Sequence, residues 1–292
     1  MTKKLVFVHG RAQQKKDSIA LKGEWIAAFR TGLAKSGLQL PIPEQDIRFP
    51  YYGDTLDQLV AGADPADAAK VIIRGPQSQK ERDFLRDVLE EVRKKAGITE
   101  AEIDAEMPPQ VVERGPLNWG WVQGILQVID RKVPFGSGNS VALFTKDVYE
   151  YLTKSGIRDA IETGVLEAVR PNEPTVVVSH SLGTVIAYNI LRREGVSRHW
   201  DVPLFVTLGS PLGVTKIRQS ISPTTYPECA RSWFNAFDDR DVVALYPLEK
   251  PHFSVTPIAN KTDVQNHTEN RHGIAGYLDD PVVAKTIYDA LI

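Results

Sequence analysis

Leu5-Val6-Phe7-Val8 is an unbroken apolar run that ends at His9-Gly10. A short run without polar alternation, rich in β-branched residues, reads as a strand buried on both faces. Thr175-Val176-Val177-Val178, ending at Ser179, and Pro203 to Leu208, ending at Gly209-Ser210-Pro211, have the same character. Ser232 to Phe237 and the shorter Phe253-Ser254-Val255 are further candidate strands. Between them the period changes. Trp25, Ile26, Phe29 and Leu33 recur at three- and four-residue steps before Gly37, and Leu182 to Leu191 forms an apolar-rich helix stopped by Gly195. Strand, helix, strand alternation predicts an α/β fold with a mostly parallel central sheet covered by helices on both faces.

The middle of the chain departs from this rhythm. A strongly charged helical stretch at Gln79 to Lys95 leads to Met107-Pro108-Pro109 and Asn118-Trp119-Gly120-Trp121. An apolar segment with Val122, Ile125, Leu126, Val128 and Ile129 follows, before Pro134-Phe135-Gly136-Ser137-Gly138. The expectation is a helical cap at 75–138 inserted into a core of 1–74 and 139–292. A second amphipathic pattern, Val141 to Val169, leads back into the sheet. The aromatic face of the insert suits a lid over an acyl pocket and a helix merely packed on the body equally well.

Composition narrows the partners. With 35 basic against 37 acidic residues and a net charge of −2, the chain carries no electrostatic footprint for nucleic acid or an anionic membrane. The four apolar residues before His9 are too few for a signal-peptide core or a membrane span, so a cytoplasmic protein without stable membrane insertion is expected. A single cysteine, Cys229, in a polar stretch beside Pro227, makes no intrachain disulfide and reads as a structural thiol. The six histidines show no metal-ligand spacing, and no metal or other cofactor is expected. Oligomeric state is not legible.

The chemistry concentrates at Ser179-His180-Ser181-Leu182-Gly183. A serine at a sharp strand-to-helix turn, with small residues two before and two after it, forms a nucleophile elbow. A capping serine beside a close-packed glycine has the same local spelling, but the buried strand before and the helix after supply the context an elbow needs. That turn projects the hydroxyl from the carboxyl edge of the sheet, near a helix N-terminus where the Leu182 amide can face an oxyanion.

On these residues the chain resembles the α/β-hydrolase superfamily, in its lipase/esterase branch with Ser-His-Ser-Leu-Gly elbows. The resemblance covers roughly 3–54 and 141–290, and Ser179 stands where glycine is more usual. It implies an α/β-hydrolase fold and a triad in the order nucleophile, acid, histidine. The His9-Gly10-Arg11 loop then implies a second oxyanion donor at the Arg11 amide, with Ala12 as the fallback and His9 as a brace. The acid maps onto Asp241, in Asp241-Val242-Val243, with Asp238 as the alternate. The histidine maps onto His272, followed by Ile274-Ala275-Gly276-Tyr277-Leu278, with His267 of the same loop as the alternate. His199 precedes the acid and His252 sits beside Pro251, so neither fits. Gly209-Ser210-Pro211 would shape the pocket rim, with no chemistry for Ser210, and Tyr51-Tyr52-Gly53-Asp54 reads equally as an entrance lining or a packed loop.

The resulting expectation is a serine hydrolase cleaving a carboxylic ester through an acyl-enzyme, on a small-molecule or lipid substrate. An amide or peptide hydrolase, or an acyltransferase, would use the same triad. A non-catalytic binding protein on the same scaffold is the alternative from another class, and fold alone does not choose the substrate.

Overall fold

Six strands form one sheet in the order β2-β1-β3-β4-β5-β6, and every neighbouring pair is parallel. They are β1 (Lys4–Val8), β2 (Ile47–Arg48), β3 (Thr175–His180), β4 (Phe205–Leu208), β5 (Trp233–Ala236) and β6 (Ala259–Lys261). The computed structural model of the chain describes residues 2–10, 18–52, 78–106, 119–132 and 138–292. The helices of those residues are α1 (Ser18–Ala34), α2 (Gln79–Lys95), α3 (Glu100–Glu106), α4 (Trp119–Lys132), α5 (Gly138–Thr153), α6 (Ser155–Ala168), α7 (Leu182–Glu194), α8 (Thr215–Ser220), α9 (Ala275–Leu278) and α10 (Pro281–Leu291).

Side chains of a strand alternate between faces, and both faces here are covered. Leu5, Phe7, Val176 and Val178 pack with Trp25, Phe29 and Ile287 on one side. Val6, Val8 and Val177 pack with Val185, Ile186 and Ile190 on the other. Each fully buried valine or leucine contributes roughly 1.5–3 kcal/mol, so the apolar runs read in the sequence are the main anchors of the sheet.

The connections β1–α1–β2 and β3–α7–β4 run outward in opposite directions along the sheet. Right-handed crossovers therefore put α1 and α7 on opposite faces. Where two such runs diverge, a crevice opens outside the carboxyl ends of the strands. Here that position lies between β1, which leads into His9-Gly10, and β3, which leads into Ser181.

One expectation is corrected. Phe253 to Val255 is not a strand; Phe253 is a fully buried anchor against Tyr188 and Trp233. Pro251 and Pro257 bracket the segment, and neither has an N–H to give a ladder. The last strand is instead Ala259–Lys261. The amphipathic pattern Val141 to Val169 is helical in two pieces, α5 and α6, divided at Lys154, which is extended at φ −106°, ψ 107°.

The charged helix α2 has the predicted bounds. The buried residues Trp121, Ile125 and Leu126 of the insert join the same apolar cluster as the α7 face of the sheet. Phe135, Gly53 and Asp54 lie outside the described residues, whereas Tyr52 is buried against His9.

Candidate active site

Ser181 sits between β3 and α7 with φ 55° and ψ −129°, a backbone conformation that costs a non-glycine residue roughly 1–3 kcal/mol. The surroundings hold it there. Its amide donates to the Leu208 carbonyl at 3.1 Å, and its carbonyl accepts from the Thr184 amide at 2.9 Å and the Thr184 hydroxyl at 2.7 Å. Ser179, at the position where glycine is more usual, is accommodated because its hydroxyl donates to the Val206 carbonyl at 2.8 Å. Gly10 lies against Ser181, since a Cβ added there would stand 2.7 Å from Ser181 Cβ.

The three residues implied by the resemblance meet. His272 Nε2 is 2.8 Å from Ser181 Oγ, and His272 Nδ1 is 2.7 Å from Asp241 Oδ2. A carboxylate accepts, so Nδ1 carries the hydrogen and Nε2 is left to accept from the serine hydroxyl. Asp241 is 2% exposed, and its other oxygen accepts from the amides of Val243 at 2.8 Å and Ala244 at 3.2 Å. Burial alone would push the Asp241 carboxyl up, but the His272 ring, the Tyr277 hydroxyl and the Val243 amide outweigh it, and the net shift is downward. The acid is thus held ionised.

Tyr277 is a partner that no sequence motif revealed. Its hydroxyl donates to Asp241 Oδ2 at 2.6 Å, the same oxygen that takes His272, and accepts from the Asp238 amide at 3.2 Å. Burial, then the charge of Asp241, pushes the phenol well above its usual range, so it stays a donor. Losing one hydrogen bond to a buried charge costs about 1.5–3 kcal/mol. Tyr277→Phe is therefore expected to lower unfolding free energy by about that amount in urea titrations. It is also expected to slow turnover roughly 10-fold, because Asp241 holds His272 less firmly. Unaltered stability and turnover would mean the hydroxyl is idle.

The alternates stand elsewhere. Asp238, fully buried, accepts from the Arg240 amide and guanidinium and from the Asn266 amide at 2.9 Å, so it ties the acid loop to the histidine loop. The His267 side chain is 61% exposed and faces Asp279 on the surface. His252 lies flat on Tyr246, with ring centroids 3.6 Å apart. Arg11 lies outside the described residues. Leu182 opens α7, where the first amides of a helix have no intrahelical acceptor. Ser210 is hydrogen-bonded to the Thr184 hydroxyl at 2.8 Å. Burial raises the Cys229 thiol to about 11, which leaves it a poor nucleophile.

Two more histidines brace the site. His9 Nε2 accepts from the Tyr52 amide at 3.2 Å, so the hydrogen is on Nδ1 and is donated to the Gly10 carbonyl at 2.7 Å. His180 Nε2 is 2.7 Å from the His272 carbonyl and must donate to it. Burial lowers His9 to about 4 and, with the nearby His272 ring adding to it, His180 to about 3. Both folded values lie below the ordinary 6.5, so the unfolded chain takes up protons first as pH falls. The stability these neutral rings provide is complete above about pH 6.5 and is lost as pH drops toward 4 and then 3. Unfolding free energy is expected to fall by roughly 1.4 kcal/mol per pH unit for each ring. Urea midpoints measured from pH 7.5 to 4.5 check this, and a flat profile would contradict it.

Among the described residues no group of three or more His, Cys, Asp or Glu is placed to hold a metal ion, and no helix is long and apolar enough to cross a membrane. Comparisons of the chain with protein-family models, with curated proteins and with solved structures found no match.

Proposed function

We propose that this chain is a serine hydrolase on an α/β-hydrolase fold, cleaving a carboxylic ester through an acyl-enzyme. The observation that carries the reading is the unbroken relay from Ser181 Oγ through His272 to Asp241, at 2.8 and 2.7 Å. An isolated serine at a strand end has no use for it. The strained Ser181 backbone and its position at the point where the strand order reverses add support, as does Tyr277 behind the acid.

The reaction follows from these contacts. Ser181 Oγ attacks the ester carbon while its proton passes to His272 Nε2. Asp241 stabilises the imidazolium and keeps Nδ1–H pointed at itself. The developing oxyanion is received by the Leu182 amide and, in the resemblance, by the Arg11 amide. His272 then returns the proton to the leaving alkoxide. A water molecule, activated by the same nitrogen, releases the acid.

The cap is part of the proposal. Its support is the apolar cluster that the insert residues Trp121, Ile125 and Leu126 share with Phe144 of α5, which lies edge-on to the His272 ring at 6.5 Å. Such a cluster favours a hydrophobic acyl group on a small-molecule or lipid ester. A cytoplasmic location is proposed with it.

A fluorophosphonate probe tests the reading. The expected result is a single adduct, mapped to Ser181 by peptide mass spectrometry, with parallel loss of hydrolysis of p-nitrophenyl esters. A chain-length series of those esters should show rising kcat/KM with acyl length. A folded protein that neither takes the probe at Ser181 nor turns over any ester would refute the proposal.

A further inference from the structure

His180 precedes the nucleophile by one residue, yet its side chain serves a different segment. The ring is 7% exposed, packed between the edge of Trp25 and the rings of His272 and Tyr277. Its Nε2 lies 2.7 Å from the backbone carbonyl of His272, a residue 92 positions later in the chain. A carbonyl only accepts, so His180 is in the Nε2–H form.

The histidine loop is otherwise organised largely from within and from the acid side. Asn266 donates to the Gly273 carbonyl, Asn270 accepts from the His272 amide, and Asp238 takes the Asn266 amide. The His180 bond joins that loop directly to the strand that carries Ser181. The two rings also lie against each other, tilted by 36° with centroids 4.7 Å apart. A ring that filled space alone would need no donor, and an aromatic hydrocarbon would fill it as well.

We infer that His180 is a positioning residue for the catalytic histidine, fixing the His272 backbone so that the imidazole bridges Ser181 and Asp241. The inference rests on the hydrolase reading of this site. Burial keeps the His180 ring neutral to about pH 3, so it directs a hydrogen bond without placing a like charge beside the imidazolium that catalysis forms. The residue type is thereby constrained. A lysine or arginine would donate equally well but would oppose the imidazolium, and an aliphatic residue would not donate at all.

The test compares His180→Gln, whose amide nitrogen reaches nearly as far as Nε2 and keeps an N–H, with His180→Phe, which keeps a ring and loses the donor. Misplacement by about 1 Å can cost up to 100-fold in rate. The expected result for His180→Phe is a 10- to 100-fold fall in kcat, with KM changed less than about 3-fold. Its rate of fluorophosphonate labelling should fall equally. His180→Gln should recover most of that loss. The downfield proton resonance of His272 Nδ1–H bonded to Asp241 should persist in wild type and His180→Gln and broaden in His180→Phe.

If His180→Phe does not fold, His180→Met, of similar length to glutamine without a donor, takes its place. Equal losses in the Gln and donorless variants, or wild-type turnover in the donorless one, would overturn the inference. A wild-type protein inert to the probe would instead remove the hydrolase reading. The downfield resonance would then still report whether His180 orders His272.

Discussion

Replacing Ser181 with alanine is expected to lower ester turnover about 10⁶-fold, and His272→Ala about as much. The double variant should lose little more, because serine and histidine act as one unit and removing either disables the proton relay. Asp241→Asn should cost about 10⁴-fold. The reason is local. One Asp241 oxygen accepts from the Val243 and Ala244 amides, which forces the asparagine carbonyl to that side. The asparagine NH₂ then faces His272 Nδ1 and the Tyr277 hydroxyl, where only acceptors fit, and the imidazole is driven into the wrong tautomer. Asp238→Asn should behave differently, since its partners are Arg240 and Asn266. It should lower unfolding free energy by about 1–3 kcal/mol while turnover per folded molecule changes little. Steady-state kinetics with urea unfolding on all five variants separates these outcomes. Additive losses in the double variant would deny the unit, and a deeper kinetic loss in Asp238→Asn than in Asp241→Asn would reassign the acid.

The parts of this molecule that were legible in the sequence are those under one dominant constraint. Strands β1, β3 and β4 are buried on both faces, so their apolar runs leave few alternatives. The two edge strands escape the same reading. β2 is only Ile47–Arg48, and β6 is Ala-Asn-Lys with partly exposed side chains, so neither carries an apolar signature.

The strand-to-helix turn at Ser181 was legible because such a turn needs a particular spelling. The choice of histidine was not legible from spelling alone. His267 and His272 share one loop, and what separates them is long-range contact: His272 meets Ser181 and Asp241, while His267 is exposed, and Arg271 between them has φ 52°. Arginine gives no warning of a positive φ. Tyr277 was invisible for another reason: its contact with Asp241 joins residues 36 apart, through a four-residue helix whose orientation depends on packing against α1. The α10 start was readable in principle, since the Asp280 side chain caps the Val282 and Val283 amides and Pro281 follows it, an aspartate-then-proline signature of a helix N-terminus.

Gly183→Ala should destabilise the protein by about 3–5 kcal/mol, against what helix propensity predicts. Alanine in place of glycine ordinarily stabilises a helix by about 1 kcal/mol. Here the added Cβ would lie 2.3 Å from the Val8 carbonyl oxygen and 2.5 Å from that of His9. Both are backbone atoms at the end of a fully buried strand, so no side-chain rotation relieves the contact. Helix α7 would have to lift off β1, opening the apolar layer formed by Val8, Val185 and Ile186. The same movement would carry Ser181 away from His272 and Gly10, so activity and stability should fall together. Gly10→Ala makes an instructive contrast. Its Cβ would meet Ser181 Cβ at 2.7 Å and Oγ at 3.2 Å, with the His180 carbonyl oxygen at 3.1 Å, so the tightest contact falls on the Ser181 side chain. It should therefore lose turnover disproportionately to stability. Thermal unfolding and kcat/KM measured side by side decide the matter, with Tm expected to drop by roughly 5–10 °C in Gly183→Ala. If Gly183→Ala melts at or above the wild-type temperature, helix and strand do not approach as closely as the elbow requires.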